Sequence, residues 1–327
     1  MTLKDRAPFT YRTVYSRALI ACAVANTMTK SSKLWEEVIR QQFASVDDEF
    51  LSGFRAPEGA QRFVAWSPYE RSSRYLKFLL FAIADRQTAE FFDAYRKIGN
   101  CAVGNPLSIR YSDCDLNADY LAAVEEWLFL LRAGGLDGVE RVAEIGAGFG
   151  RTCHTLMRLA SSIREYTIID LEPMLNLSRA YLQKAAPDLV DRVRFVSSLD
   201  GRTQDAVTAD LVINIDSFQE MPPPVIDDYM RRIVAGARSF YCKNPVGKYL
   251  PGTVGLPDPG PHERPEVFEL GYCRGVVDIF DDHALREARI AYLEAYRPSA
   301  DRGVYTVAAA KPMEMFAYYH HALYVRP

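Results

Sequence analysis

The stretch Arg141-Val-Ala-Glu-Ile-Gly-Ala-Gly-Phe-Gly-Arg151 constrains this chain more than any other. A short apolar run from Val142 to Ile145 ends abruptly in glycines at Gly146, Gly148 and Gly150, and helix-compatible residues follow from Thr152 to Ala160. A strand that turns sharply into a helix beside a ligand calls for residues without a Cβ, for dihedral freedom and for close backbone approach. The N–H groups at the start of the following helix then offer donors and positive potential. The spacing G-x-G-x-G is tighter than the G-x-G-x-x-G with which dinucleotide folds take a pyrophosphate. An acid, Glu144, stands just before it.

That variant, Glu144-Ile-Gly-Ala-Gly-Phe-Gly150, resembles the first motif of class I S-adenosylmethionine-dependent methyltransferases. The resemblance implies S-adenosylmethionine as cofactor, its amino-acid end wrapped by a loop that has no diphosphate to neutralise. On that basis Glu144, Gly146, Ala147, Gly148 and Gly150 are expected at the cofactor. The alternative is a glycine turn in some other α/β protein.

The rest of the chain suits an α/β protein with a helical extension. Candidate strands Arg141–Ile145, Glu165–Asp170, Val193–Ser197, Leu211–Ile215 and Ser239–Lys243 alternate with helices at Thr152–Ala160, Met174–Ala186 and Val225–Ala235. Such alternation means right-handed crossovers and a parallel sheet covered on both faces. Ala288–Tyr296 and Gly303–Ala310 read as two further strands. A terminal antiparallel strand is what separates the Rossmann-like methyltransferase sheet from the ordinary dinucleotide fold. Before the glycines the pattern is mainly helical: Leu34, Trp35, Val38, Ile39 and Phe43 share one face behind Ser31 and Ser32, Tyr75–Ile83 is strongly apolar, and Ala118–Arg132 ends at Gly134-Gly135. The expected organisation is a helical N-terminal cap over residues 1–135 and a methyltransferase domain over 136–327.

Composition narrows the partners. With 327 residues, 49% hydrophobic and 25% charged, the chain has enough apolar material for a large core. A net charge of -3 leaves no basic footprint, so nucleic acid is not the expected substrate. Six scattered cysteines contain no C-x-x-C pair, and no His/Asp/Glu spacing marks a metal site; none is expected. Arg17 followed by Ala18–Ala25 has the size of a signal-peptide core, but Asp5 and a proline precede it, and a cytoplasmic protein without a membrane span is the expectation. A homodimer is compatible with the sequence.

Asp170 closes the second strand in Tyr-Thr-Ile-Ile-Asp-Leu-Glu-Pro. An acid at this distance beyond the glycine loop is where α/β nucleotide folds hold ribose hydroxyls. Leu171 is expected beside it, and a helix N-cap before Pro173 is the competing role. Ser198 and Leu199, after the third strand, are expected near adenine by the resemblance. The fourth strand ends Asn214-Ile-Asp-Ser-Phe-Gln-Glu-Met221, a polar cluster that a packed strand end does not require. Asp216 and Ser217 are assigned to the cofactor side. This stretch, with Gly104-Asn-Pro106 and Trp35, is similar to sugar O-methyltransferases, which implies a hydroxyl acceptor in specialised metabolism.

Methyl transfer is an in-line displacement, so alignment and exclusion of water do most of the work. An alcohol acceptor also needs a base. His262, in Gly-Pro-His-Glu-Arg, is the candidate histidine, with Asp216 and Glu220 as candidate carboxylates. His154, on the helix after the glycines, suits a structural role, and His320 and His321 suit either closing over the pocket or a place at the surface. An amine or guanidine acceptor would use Asp216 and Glu220, with Glu263 and Glu266, to hold its cation. N-methylation is therefore the alternative. A nicotinamide oxidoreductase lacks its Tyr-x-x-x-Lys pair, and a degenerate scaffold would not need the intact glycines and Asp170.

Overall fold

Alternation of side chains along the central strands decides the architecture. Val142, Ile168, Leu211 and Tyr241 enter one apolar cluster, while their neighbours Ala143, Ile169, Val212 and Phe240 enter another. Successive strand residues project to opposite faces. Both faces of the sheet therefore need a helical cover. The computed structural model describes residues 46–56, 73–199, 207–249, 265–300 and 303–327, with positions 32, 35, 36 and 39.

The N-terminal region contains α1 (Asp48–Gly53), α2 (Ser73–Ala84), α3 (Ala89–Ile98), a hairpin of β1 (Ser108–Tyr111) and β2 (Cys114–Asn117), and α4 (Ala118–Arg132). Thr88 caps α3 through Phe91 N–H, and Asn117 caps α4 through Tyr120 N–H. The hairpin was not anticipated from the sequence. Ser112 and Asp113 both take positive φ, 48° and 62°. That pair of conformations makes the tight turn whose twist matches antiparallel strands.

The main sheet comprises β3 (Arg141–Ile145), β4 (Glu165–Asp170), β5 (Val193–Ser197), β6 (Ala209–Ile215), β7 (Ala237–Pro245) and, beyond two short strands β8 (Ser299–Ala300) and β9 (Gly303–Val304), β10 (Thr306–Pro312) and β11 (Tyr319–Val325). Its order is β10-β11-β7-β6-β3-β4-β5. The strands β3 to β7 pair in parallel, whereas β11 lies antiparallel to β7 and β10 antiparallel to β11. This is the expected Rossmann-like sheet, mostly parallel and antiparallel at one end. Three helices alternate with its strands: α5 (Arg151–Leu159), α6 (Glu172–Ala185) and α7 (Pro223–Gly236).

The C-terminal strands differ from expectation. Ala288–Tyr296 lies in and just after helix α8 (Asp282–Ala295), not in a strand. Leu285, Tyr292 and Tyr296 are buried against the sheet at helical spacing, and the Asp281 side chain caps the start through His283 and Ala284 N–H. The strand that inserts between β7 and β10 is Tyr319–Val325. Among the described residues no helix is long and apolar enough to cross a membrane; the apolar run 18–25 lies outside them.

Packing is continuous across position 135, where a cap was expected to meet the catalytic domain. Phe129 and Leu130 of α4 join Val142, Leu211 and Tyr241 in one cluster, while Met313, Met315 and Phe316 from the β10–β11 connection join the α2, α3 and α4 cluster. Charge ties the two regions as well. Glu126 of α4 is buried and accepts from Arg151 at 3.0 Å and from Lys243 Nζ at 2.5 Å. Seven residues earlier on the same helix, Asp119 pairs with buried Arg55 at 2.9 Å. Burial opposes ionisation of Glu126, yet the charges of Arg151 and Lys243 hold its carboxyl below the usual glutamate range. Glu126→Gln leaves two cations in a dry interior and should destabilise the fold by about 3–5 kcal/mol in urea unfolding. A loss under about 1 kcal/mol would show that both cations are hydrated without it.

Candidate active site

The parallel strands present their carboxyl ends on one side, where open α/β sheets hold ligands. A cavity of about 220 Å³ lies there. The glycine loop forms one wall through Gly146, Ala147 and Gly148, with Glu144 beneath it. The ends of β4 and β5 add Asp170, Leu171, Ser198 and Leu199. The β6 end adds Asp216, Ser217 and Glu220. From outside the parallel strands come Trp35, Asp119, Met313, Phe316 and Tyr319.

Close packing explains the first glycine. Gly146 has φ +73°, and a Cβ there would stand 2.2 Å from Ser217 Oγ. Ser217 is fixed in turn, donating to the Ile145 carbonyl at 3.0 Å and accepting from Asn214 at 2.6 Å. The bare backbone is therefore a requirement of the site. Gly150 differs from expectation and does not line the cavity. Its φ is +89°, and a Cβ there would touch Leu182 and Ser178 of α6 at 3.4–3.5 Å. Those are ordinary contacts, so it is the left-handed φ and not lack of space that calls for glycine there.

Asp170 faces the loop. Its Oδ2 accepts from Gly148 N–H at 3.1 Å and its Oδ1 from Leu171 N–H at 2.8 Å. It is not the N-cap of α6, a position Leu171 takes without a side-chain cap. Burial pushes its carboxyl up to about 7 against the pull of the loop amides. Ser198 N–H donates to the Asp170 carbonyl at 2.8 Å, which sets the β5 turn beside it. Glu144 is fully buried, accepts from Tyr166 Oη at 2.8 Å and is pushed up to about 7 by burial.

Asp216 has φ +63°, a left-handed backbone that a non-glycine residue adopts at a cost. Its N–H donates to the Lys243 carbonyl at 2.8 Å, and Oδ1 accepts from Tyr319 Oη at 2.9 Å and from Gln219. Burial, then the charge of nearby Glu220, push its carboxyl up to about 6. Glu220 accepts from Trp35 Nε1 at 2.8 Å.

None of the described histidines lines the cavity. His262 lies outside the described residues, and His154, His320 and His321 do not line the cavity. His154 bonds Tyr120 Oη at 2.6 Å, and burial pushes it down to about 4. His320 is likewise pushed down to about 4, while His321 packs against Tyr241 Oη at 2.7 Å and Glu125 at 3.2 Å. Residues that sequence reasoning missed are Arg151, Lys243 and Asp119. A lysine ending the apolar run Phe240-Tyr-Cys-Lys243 was a usable signal; Asp119 carried none.

The charge of the lining is unequal. Asp119, Glu144, Asp170, Asp216, Glu220 and Asp228 face Arg151, Arg232 and Lys243. Three of those acids have carboxyls raised by burial, so a cationic ligand would relieve them.

No protein-family model matches the chain, and no curated protein matches it. Among solved structures it is similar to the mitomycin 7-O-methyltransferase MmcR at 15% identity and a TM-score of 0.38, over 64% of this chain and 57% of that one. It is similar to the O-methyltransferase TomG from Streptomyces achromogenes, involved in tomaymycin synthesis and solved with SAM, at 14% and 0.37, over 78% and 99%. An O-methyltransferase from Bacillus cereus in complex with SAH gives 13% and 0.40, over 77% and 99%.

Glu144 gives the cavity a pH signature. Its folded pKa lies above the unfolded value, so its stabilising contribution is fully present below about pH 4.5 and is lost as pH rises through about 7. The stability of the native chain minus that of Glu144→Gln should fall by roughly 3 kcal/mol between about pH 4.5 and pH 8, measured by urea unfolding. A flat difference would show a hydrated, unperturbed carboxyl.

Proposed function

We propose that the chain transfers a methyl group from S-adenosylmethionine to a small polar acceptor, in the first instance a sugar-like hydroxyl of specialised metabolism. The observation that carries this reading is an acid-rich cavity built on a glycine loop, with carboxyls raised by burial around a backbone that admits no Cβ at Gly146. The residues present fit a cofactor that carries a sulfonium and an ammonium. Gly146, Ala147 and Gly148 would hold its amino-acid end, Asp170 its ribose hydroxyls, and Ser198 with Leu199 its base. When bound, the cofactor supplies an electrophilic methyl group.

The chain's own residues do the rest. Met313, Phe316 and Trp35 wall the cavity with apolar surface and limit water. Asp216 is the base this reading assigns: near neutral pH it is mostly ionised and accepts a proton from an acceptor hydroxyl as the C–O bond forms. Glu220, held by Trp35, orients the acceptor. His262 remains an alternative base.

A second reading, N-methylation of an amine or guanidine, draws on one observation. Glu220 lies close enough to Asp216 to raise its carboxyl, and a bound cation would satisfy both.

Two experiments test these assignments. Asp170→Ala should weaken S-adenosylhomocysteine binding by about 1–3 kcal/mol in calorimetry; unchanged affinity would remove Asp170 from the cofactor site. Acceptors found by screening with labelled cofactor then divide the readings. A cationic acceptor makes Asp216→Asn and Glu220→Gln both lose at least about tenfold in turnover. A hydroxyl acceptor leaves Glu220→Gln substantially active while Asp216→Asn fails. Full activity in both, with His262→Ala inactive, would move the base to His262.

A further inference from the structure

The antiparallel end of the sheet reaches the cavity through Tyr319, beside Met313 and Phe316 of the β10–β11 connection. Tyr319 is the first residue of β11, paired with Pro245 at the end of β7. Its N–H donates to the Phe316 carbonyl at 2.9 Å, and its own carbonyl accepts from Met313 N–H at 3.0 Å. Both ends of its peptide are thus pinned by the β10–β11 connection. Its ring stands 5.9 Å from Lys243 Nζ, and its hydroxyl donates to Asp216 Oδ1 at 2.9 Å.

We propose that Tyr319 is a positioning residue for Asp216: its phenol holds the carboxylate that the +63° backbone turn of Asp216 directs into the cavity. The role rests on the reading of Asp216 as the base. A left-handed aspartate is costly unless its surroundings hold it there. The holding contacts come from the Lys243 carbonyl on β7, from Gln219 beyond β6 and from Tyr319 on β11. Burial keeps the phenol protonated, so it acts as a donor. A hydrogen bond to the charged form favours that form.

The charged and titratable groups that act on Asp216 come from every neighbouring element. Glu220, in the turn after β6, raises its carboxyl; Lys243 of β7 and Arg151 of α5 lower it, as does the hydrogen bond from Tyr319. Lys248, beyond β7, donates to the Gln219 carbonyl at 3.0 Å and feels Asp216 in turn. Removing the phenol alone therefore leaves every formal charge in place. A change in Asp216 then reports the hydrogen bond.

The test needs no acceptor. The full chain labelled with [4-13C]aspartate is titrated by NMR, and the Asp216 resonance is the one missing from Asp216→Asn. Tyr319→Phe should raise the Asp216 midpoint by about 1 pH unit. A fluorinated tyrosine at position 319, a stronger donor of nearly the same size, should lower it and covers the case in which Tyr319→Phe does not fold. A midpoint unmoved by either substitution overturns the proposal, even where stability changes. S-adenosylhomocysteine calorimetry on the same samples keeps the two readings separate. A native chain that binds none overturns the cofactor assignment, while the NMR midpoint still decides Tyr319.

Discussion

Glu126 is the residue on which the arrangement turns. One buried carboxylate accepts from Arg151, which opens the helix after the glycine loop, and from Lys243, at the carboxyl end of β7. At an effective dielectric of about 20 each contact near 3 Å is worth about 5 kcal/mol of attraction. Desolvating three ions costs several kcal/mol apiece, so the net stabilisation is small. Geometry is the larger gain. Two cations of the cavity floor come from different elements, and a carboxylate on α4 sets both. Helix α4 of the N-terminal region thereby fixes two cations of the cavity lining.

The same logic runs outward to the carboxylates. Glu144, Asp170 and Asp216 are withdrawn from water without an equal number of cations beside them, and burial raises each. The amides of Gly148 in the loop and of Leu171 at the start of α6 partly offset this at Asp170, and Tyr319 does so at Asp216. A site holding such acids in strained or desolvated positions gives up stability. An entering cation would recover part of that deficit. The imbalance favours the sulfonium cofactor proposed above over a diphosphate, which would meet like charge.

The C-terminal hairpin has a double duty. Inserted antiparallel beside β7, it seals the sheet with Leu323 on one face and Ala322 and Tyr324 on the other. Its connection sends Met313 and Phe316 into the N-terminal apolar cluster and Tyr319 into the cavity. Sheet closure and site assembly thus depend on the same short segment. Arg151, Lys243 and Tyr319 then meet around Asp216 although they lie far apart in the chain.

Much of this was legible in the residues themselves. The ends of β3 and β4 follow from apolar runs stopped by glycine or acid, because parallel strands inside the sheet are covered on both faces; the edge strand β5, with Arg194 and a half-exposed course, shows instead through its Val and Phe residues. Gly146, Asp170 and Asp216 stand at the carboxyl ends of strands, where open α/β sheets hold ligands, and all three line the cavity. Local pattern failed where tertiary contacts chose between equals. Ala288–Tyr296 suits strand or helix, and the Asp281 cap with the buried Leu285 and Tyr292 made it a helix. Gly150 looks like its neighbours in sequence, yet its missing side chain faces α6 and not the cavity. Sequence alone determined the parallel core and the glycine loop, since both depend on period and on the absence of a Cβ. The tertiary structure decided which charges meet, because Glu126, Arg151, Lys243 and Tyr319 act through space, where chain separation leaves no local trace.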